Sequence, residues 1–165
     1  IFYAGSSIGN FDPPDACRLL LEIRGILNSG DALLIGYDLK KDPDVLRLAY
    51  DDPQGITAAF NLNLLVRLNR ELGAGFDPDA FRHVAIYNEA LGRMEMYLES
   101  MTSQEVMIAG ESICFAPLER VHTESSCKYT LAGFGEMAAA AGLISKGVWT
   151  DRATSFAVGL YTRRD

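Results

Sequence analysis

Cysteine is scarce in this sequence: Cys17, Cys114 and Cys127 are odd in number and far apart. They offer neither a disulfide framework nor a CxxC metal knuckle, and such usage fits a reducing compartment, so a cytoplasmic setting is the expectation. Histidine is scarcer still. His83 and His122 alone make no zinc signature, and no metal is expected. No apolar run approaches the roughly 20 residues of a membrane span, so no membrane partner is expected. Basic clusters are missing as well. Lys and Arg number 15 against 22 Asp and Glu, a net charge of −7 that argues against nucleic acid as a partner. What is present is an ordinary globular balance, 48% hydrophobic and 22% charged over 165 residues. That is enough chain for a real core and too apolar for disorder.

The first 37 residues read as a βαβ unit. Ile1-Phe2-Tyr3-Ala4 is a short apolar run ended by Gly5, which suits a buried strand. It starts without Met and runs straight into a turn, so the chain is expected to be a piece of a longer protein. Asp12-Pro13-Pro14 opens a helix, with Asp12 as N-cap and Pro13 at the first position. Leu19, Leu20, Ile23, Ile26 and Leu27 form its apolar stripe, and Asn28-Ser29-Gly30 ends it. Ala32 to Tyr37 is continuously apolar and reads as a strand covered on both faces. Strand, helix, strand implies a parallel sheet.

The pattern then changes. Asp42-Pro43 opens a helix to about Tyr50. A longer one, Gly55 to Leu72, carries Ile56, Phe60, Leu64, Leu68 and Leu72 four apart, with Asn61, Asn63 and Asn69 off that row. Met94, Met96 and Leu98 alternate with Arg93, Glu95, Tyr97 and Glu99, a half-buried strand. Strands near 83–88 and 104–109 flank it, and the three read as an antiparallel meander. From Thr130 the first pattern returns: an alanine-rich helix closed by Gly142, then two strands, Leu143–Thr150 and Ser155–Tyr161, joined at hairpin length. The expected architecture is a three-layered α/β core, 1–39 and 127–165, interrupted by an inserted α+β lobe, 40–126.

Ligands of open α/β sheets bind beyond the carboxyl ends of the strands. Gly5 to Asn10 and Asp38 to Asp42 lie there. A carboxamide at Asn10 can receive a bond from an amine and give one to a carboxylate, which suits the head of a free amino acid. Equally it can cap the next turn, the commoner use. In the segment 121–128, Glu124 and Ser126 share one face if the chain is extended. They could hold an N–H donor and a ring nitrogen, or form a solvated polar strand. Tyr50 could be a surface phenol or a donor into a cleft. Met94 and Met96 suit a core as well as a ligand pocket. His83 and His122 are too isolated to read as ligands, and no nucleophile–histidine–acid set can be placed, so the catalytic residues are unknown.

Taken together, Gly5-Ser6-Ser7-Ile8-Gly9-Asn10-Phe11, Gly36-Tyr37-Asp38-Leu39-Lys40-Lys41-Asp42, Ala49-Tyr50-Asp51-Asp52, Gly55-Ile56-Thr57-Ala58-Ala59-Phe60-Asn61, Asn69-Arg70-Glu71-Leu72, Phe76-Asp77-Pro78-Asp79-Ala80-Phe81 and Thr123-Glu124-Ser125-Ser126-Cys127-Lys128 resemble the histidine-specific, S-adenosylmethionine-dependent methyltransferase family of ergothioneine biosynthesis. The resemblance runs over nearly the whole chain. It implies a partial Rossmann-like class I methyltransferase sheet with an inserted α+β substrate-binding lobe, and S-adenosylmethionine as methyl donor. It implies transfer of the sulfonium methyl to the α-amine of a free amino acid, most simply L-histidine; relatives methylate other aromatic amino acids. Asn10 would hold the substrate amine and carboxylate, Tyr50 would reach the carboxylate, Glu124 and Ser126 would hold the imidazole, and Met96 would line the pocket. Gly5 and Ser6 would touch the cofactor, with the main cofactor contacts expected before Ile1. The isolated chain would then bind cofactor poorly, act on nothing alone, and self-associate through uncovered apolar surface. A reading of another class is a non-catalytic α/β module that binds a small molecule or a protein.

Overall fold

In the computed structural model the described residues are 1–164, and the chain divides into two compact units. The first comprises Ile1–Asp42, Asn88–Arg93 and Ser125–Asp165, and the second Pro43–Tyr87 and Met94–Glu124. Asp165, the last residue of the expected core segment, lies outside the described residues.

The first unit is built on a four-stranded sheet. β1 (Phe2–Tyr3) pairs in parallel with β2 (Ala32–Asp38) across helix α1 (Pro13–Ile26). β2 pairs antiparallel with the final strand β9 (Phe156–Arg163), which forms a hairpin with β8 (Leu143–Thr150), so the order is β1-β2-β9-β8. Alternation puts Leu33, Ile35 and Tyr37 on one face, and their register partners Tyr161, Gly159 and Ala157 fall on it too. α1 and α4 (Leu131–Ala140) both cover this face, through Ala16, Leu20, Ile23, Phe134 and Ala138. Phe134 stacks on Tyr37 with ring centroids 3.8 Å apart. The expected third layer is therefore not seen among the described residues. Both helices serve one core, and Leu34, Val158 and Leu160 on the opposite face are half-buried.

Three local expectations of this unit change. Phe2 is 73% exposed, because β1 is a two-residue edge strand and not a buried one. Ile26 leaves the apolar stripe of α1 at 68% exposure, and Ala16 takes a place in the core instead. Asp12 stands at the N-cap but gives α1 no side-chain cap; its carboxylate instead meets Arg93 Nη1 at 2.6 Å. Pro13, with no N–H to satisfy, starts the helix without that cap. Thr130 does cap α4, its Oγ1 accepting from Gly133 N–H at 3.0 Å.

The second unit carries α2 (Pro43–Tyr50), α3 (Ile56–Leu72) and most of a three-stranded sheet of β3 (Phe81–Asn88), β4 (Arg93–Ser100) and β7 (Arg120–Cys127), with β4 in the middle. β5 (Gln104–Ile108) and β6 (Glu111–Phe115) form a separate antiparallel hairpin. So the expected meander is replaced: β4 pairs with β7 and not with β5. The reason is a two-residue turn at Ala109-Gly110, both left-handed (φ 50° and 87°), which folds β5 onto a strand the sequence pattern does not announce. Phe76, Phe81 and Phe115 meet at tilted and edge-on angles with centroids 5.4–6.2 Å apart, above Leu65, Leu98 and Val106.

Helix α3 turns the opposite way from its apolar row. Ile56 and Phe60 are 70% and 69% exposed, whereas Asn61 and Leu65 are buried. β4 likewise hides both faces: Glu95 and Glu99 are as buried as Met94 and Met96. Glu99 is sustained by Arg120 and Arg82, which hold its carboxyl below the usual carboxylate range.

Asp52 fastens the start of α3. Its Oδ1 accepts from Thr57 N–H at 2.7 Å and its Oδ2 from Ile56 N–H at 3.0 Å, and these bonds lower its pKa from 3.8 to about 2. The folded state therefore prefers the carboxylate. That contribution is complete above pH 3.8 and lost as the pH falls through about 2. Asp52→Asn is expected to flatten the acid limb of the stability curve in that window, as read by denaturation at stepped pH. Two glycines make a matched pair. A Cβ on Gly9 would sit 2.8 Å from the Cys127 carbonyl, while one on Gly25, inside α1, would meet nothing within 4 Å. Gly9→Ala is expected to destabilise by about 1–3 kcal/mol and Gly25→Ala to stabilise by about 0.5–1 kcal/mol, measured by urea unfolding.

Candidate functional site

In the first unit the carboxyl ends of β1 and β2 sit side by side, since the two strands are parallel. After β1 the chain turns at Gly5 and Ser6, both left-handed (φ 72° and 59°), into a 3-10 turn over Ser7–Asn10. Ser6 Oγ accepts from the Asp38 N–H at 2.8 Å, which ties this turn to the end of β2. The turn also lies on the end of β7. The Cβ absent from Gly9 would come within 3.4 Å of Ser126 Oγ. The structure thus brings the turn bearing Asn10 against Ser126. Asn10 is exposed, and its carboxamide makes no hydrogen bond among the described residues, so it caps nothing.

Beneath this turn lies a charged group that sequence reasoning missed. The Lys128 side chain is 1% exposed. Its Nζ donates to Ser126 Oγ at 2.8 Å and pairs with Asp38 Oδ2 at 2.9 Å. Asp38 Oδ1 in turn meets Lys41 Nζ at 2.6 Å. The backbone follows the same path: Tyr129 N–H donates to Asp38 O at 3.0 Å and Lys40 N–H to Tyr129 O at 2.9 Å. Both Asp38 and Lys128 stand in the motifs quoted above. Ninety residues separate them, and no spacing rule connects them. Nearby, burial pushes the Cys127 thiol and the Tyr129 phenol up.

In the second unit, Glu124 lies half-buried on β7 at a cavity of about 230 Å³ shared with Phe60, Asn61, Asn63, Leu64, Arg67 and Thr123. Arg67 turns its guanidinium to Glu71 at 3.0 Å. Glu124 has no hydrogen-bond or ion-pair partner among the described residues. Thr123 Oγ1 donates to Met96 O at 3.0 Å, joining β7 to β4. Met96 itself is 4% exposed and does not line this cavity, and neither does Tyr50.

Tyr50, the last residue of α2, is held by its main chain. His83 Nε2–H donates to Tyr50 O at 2.8 Å. A carbonyl only accepts, so this bond assigns the proton to Nε2 and leaves Nδ1 to accept from Asn61 Nδ2 at 2.9 Å. Asn61 Nδ2 also donates to Tyr97 O at 3.1 Å. His83, on β3, therefore fastens α2 and α3, and Asn61 carries the link on to β4, a role the isolation of His83 in sequence gave no sign of. Among the described residues no group of three His, Cys, Asp or Glu side chains is placed to hold a metal ion, and no helix is long and apolar enough to cross a membrane.

The profile of a family described as histidine-specific methyltransferase, SAM-dependent, matches residues 1–163. The chain belongs to that family. It is 44% identical over 96% of its length to a histidine N-alpha-methyltransferase of Mycobacterium tuberculosis, of which it covers 50%. It is 34% identical over 78% of its length to ergothioneine biosynthesis protein 1 of Schizosaccharomyces pombe, of which it covers 17%, and 31% identical over 94% to an L-tryptophan methyltransferase of Psilocybe serbica, of which it covers 44%. The chain spans about half the length of the mycobacterial relatives it matches. Among solved structures it is similar to a S-adenosylmethionine-dependent methyltransferase from Clostridium acetobutylicum, with a TM-score of 0.54 and 11% identity over all of this chain and 58% of that one. The CcbJ methyltransferase of Streptomyces caelestis gives 0.52 and 12%, over 99% and 56%. The fold is that of class I methyltransferases.

The Asn61–His83 bond gives a direct test of the fastening. Asn61→Leu leaves His83 Nδ1 and Tyr97 O without their donor, and a buried group stranded in this way costs about 1–3 kcal/mol. Chemical denaturation is expected to show that loss, and the His83 ring proton is expected to exchange faster in NMR spectra.

Proposed function

We propose that this chain is the substrate-binding portion of an S-adenosylmethionine-dependent N-methyltransferase that acts on the α-amine of free L-histidine. The observation that carries the proposal is Glu124. A carboxylate with no hydrogen-bond or ion-pair partner among the described residues stands on β7 in a small cavity edged by Phe60 and Leu64. A carboxylate there calls for an N–H donor carried on a flat ring. An imidazole supplies both, through a charge-assisted bond. An indole placed with a carbon edge toward Glu124 would leave the charge unpaired. The most similar relatives named above are histidine N-alpha-methyltransferases, which supports the same reading.

In this reading Asn10 receives the substrate amine with its carbonyl and gives its N–H to the carboxylate, and the Tyr50 phenol reaches the carboxylate. Glu124 and Ser126, two apart on one strand and so on one face, hold the ring. Met96, which is buried on β4 and outside the lining of the Glu124 cavity, is kept as the pocket residue that the family resemblance implies. For the cofactor, the residues present fit as a margin. The left-handed Gly5–Ser6 turn frees peptide groups at the carboxyl end of β1, and the Ser6 hydroxyl, which already accepts from Asp38 N–H, has its own proton to give. Bound there, S-adenosylmethionine supplies an electrophilic methyl group. The protein residues orient the amine, keep the ring and the head of the substrate fixed, and let the amine lose its proton to solvent before it attacks. Catalysis is then mainly positioning. Cys17, Cys114 and Cys127 are free thiols, which supports a reducing, cytoplasmic setting.

The test is affinity for histidine and tryptophan by calorimetry on the full-length protein that carries this chain. Glu124→Ala is expected to weaken histidine by about 1.5–3 kcal/mol, roughly ten- to a hundredfold, and to leave cofactor affinity in place. Ser126→Ala should cost about 0.5–1.5 kcal/mol. Asn10→Ala should harm both amino acids alike, because it touches only the shared head. Unchanged histidine affinity in Glu124→Ala would defeat the assignment.

A further inference from the structure

The cavity at Glu124 lies wholly within the second unit, and its fixed polar side chains have only lone pairs to offer. Asn61 is 4% exposed and forms part of the cavity wall. Its Nδ2 donates to Tyr97 O at 3.1 Å and to His83 Nδ1 at 2.9 Å. A backbone carbonyl only accepts, so the Tyr97 bond by itself decides which end of the carboxamide is the nitrogen. Both amide protons are engaged, and Oδ1 has no hydrogen bond among the described residues. That oxygen is not sealed in either, since Tyr37 Oη is the buried side-chain polar atom left without a partner among the described residues. Asn61 Oδ1 therefore opens on the cavity that Asn61 lines. Thr123 gives its one hydroxyl proton to Met96 O at 3.0 Å, and its oxygen can then only accept. The charged groups of the lining are Glu124 and Arg67, and Arg67 has its guanidinium on Glu71 at 3.0 Å. His83 stands behind Asn61, outside the lining, and Asn63 is exposed and free to present either end of its amide.

We infer that this cavity takes a cationic ring: the substrate side chain is held as imidazolium, with one ring N–H on the Glu124 carboxylate and the other on Asn61 Oδ1. The inference rests on the reading of Glu124 as the ring residue. It adds Asn61 as a substrate contact and assigns the charge of the bound ring. A neutral imidazole has one N–H and one lone pair. Between two acceptors that lone pair would meet another, and the repulsion is removed when the ring takes a proton from solvent. The cation then faces a carboxylate in a partly enclosed place, and both of its bonds are charge-assisted. Phe60 adds a π face, which favours a cation over a neutral ring. The same arrangement disfavours an indole. Its ring has a single N–H and cannot take up a second proton on nitrogen, so one of the two acceptors is left without a donor.

The experiment is NMR of L-histidine, isotope-labelled at both ring nitrogens, bound to the full-length protein that carries this chain. It is run at about pH 8.5, roughly two units above the ordinary imidazole pKa of about 6.5, where the free ring is neutral. In the complex both ring nitrogens are expected at the shift of a protonated nitrogen. A bound ring with one protonated nitrogen overturns the inference. Asn61→Leu tests the second acceptor. It is expected to return the bound ring to one proton and to lower histidine affinity about three- to tenfold; a ring that keeps both protons in this variant overturns the role of Asn61. Where Asn61→Leu fails to fold, Asn61→Asp takes its place. It retains an oxygen, so both ring protons are expected to stay, and loss of either overturns that role. Calorimetry on Glu124→Ala separates the two readings. Weakened histidine binding in that variant, beside a singly protonated ring in the unaltered protein, defeats this inference alone. Unchanged histidine binding defeats the assignment of Glu124 and this inference with it.

Discussion

One carboxylate ties the first unit together. Asp38 ends β2, and its side chain receives Lys128 on one oxygen and Lys41 on the other, while its N–H and C=O bond Ser6 and Tyr129. Its removal would take the Asp38 ion pair away from a lysine whose side chain is 1% exposed. The arrangement also explains where a ligand site can form. The turn after β1, the end of β2 and the end of β7 come from three distant parts of the chain, and the ion cluster is what holds them in register. The apolar core beneath, with Tyr37 stacked on Phe134, sets the distance of α1 and α4 from the sheet. It also takes in Ile8 of the turn after β1 and Leu39 just past β2, so packing and the ion cluster align the strand ends together.

The second unit uses buried polar groups for the same purpose. Its hydrophobic cluster is small among the described residues: Phe81 and Phe115 are buried with Leu65, Leu98 and Val106, and Phe76 packs against them as the third ring. The helices are located by hydrogen bonds instead. Asn61 and His83 link α3, α2 and β4, Asn69 bonds both the N–H and the C=O of Phe76 to close the loop after α3, and Asp52 bonds the first turn of α3. Directional contacts of this kind define position more sharply than packing does, because an unpaired buried donor or acceptor is expensive. That suits a unit whose proposed work is to present one carboxylate and one phenol in fixed places.

Family membership and the fold agree, and the chain accounts for about half of its mycobacterial relatives. The residues proposed for the amino acid are nearly all here. Those proposed for the cofactor are confined to one turn.

Much of the architecture was legible in the residues. A continuous apolar run marked β2, three- and four-residue spacing marked α1, alternation marked β4, and Asp42-Pro43 marked the start of α2. Thr130 and Gly142 bracketed α4, and the two runs after it paired as a hairpin, because local signals suffice where neighbours in sequence are neighbours in space. The motifs around Asn10, Tyr50 and Glu124 marked the family. What the tertiary structure decided depended on partners far along the chain. The leucine row of α3 predicts a buried face, yet Asn61 is turned inward, because His83 and the Tyr97 carbonyl need its donors more than Ile56 and Phe60 need burial. β4 reads as half-buried, yet Glu99 is inside, because Arg82 and Arg120 arrive from the strands on either side. Asp12 reads as a cap, and Arg93 takes it instead. Lys128 shows the same limit most sharply. A lysine two residues after a serine could be solvated like most lysines. Only the folding of β2 beside the end of β7 brings Asp38 to it and buries the charge, since no local rule connects residues ninety positions apart.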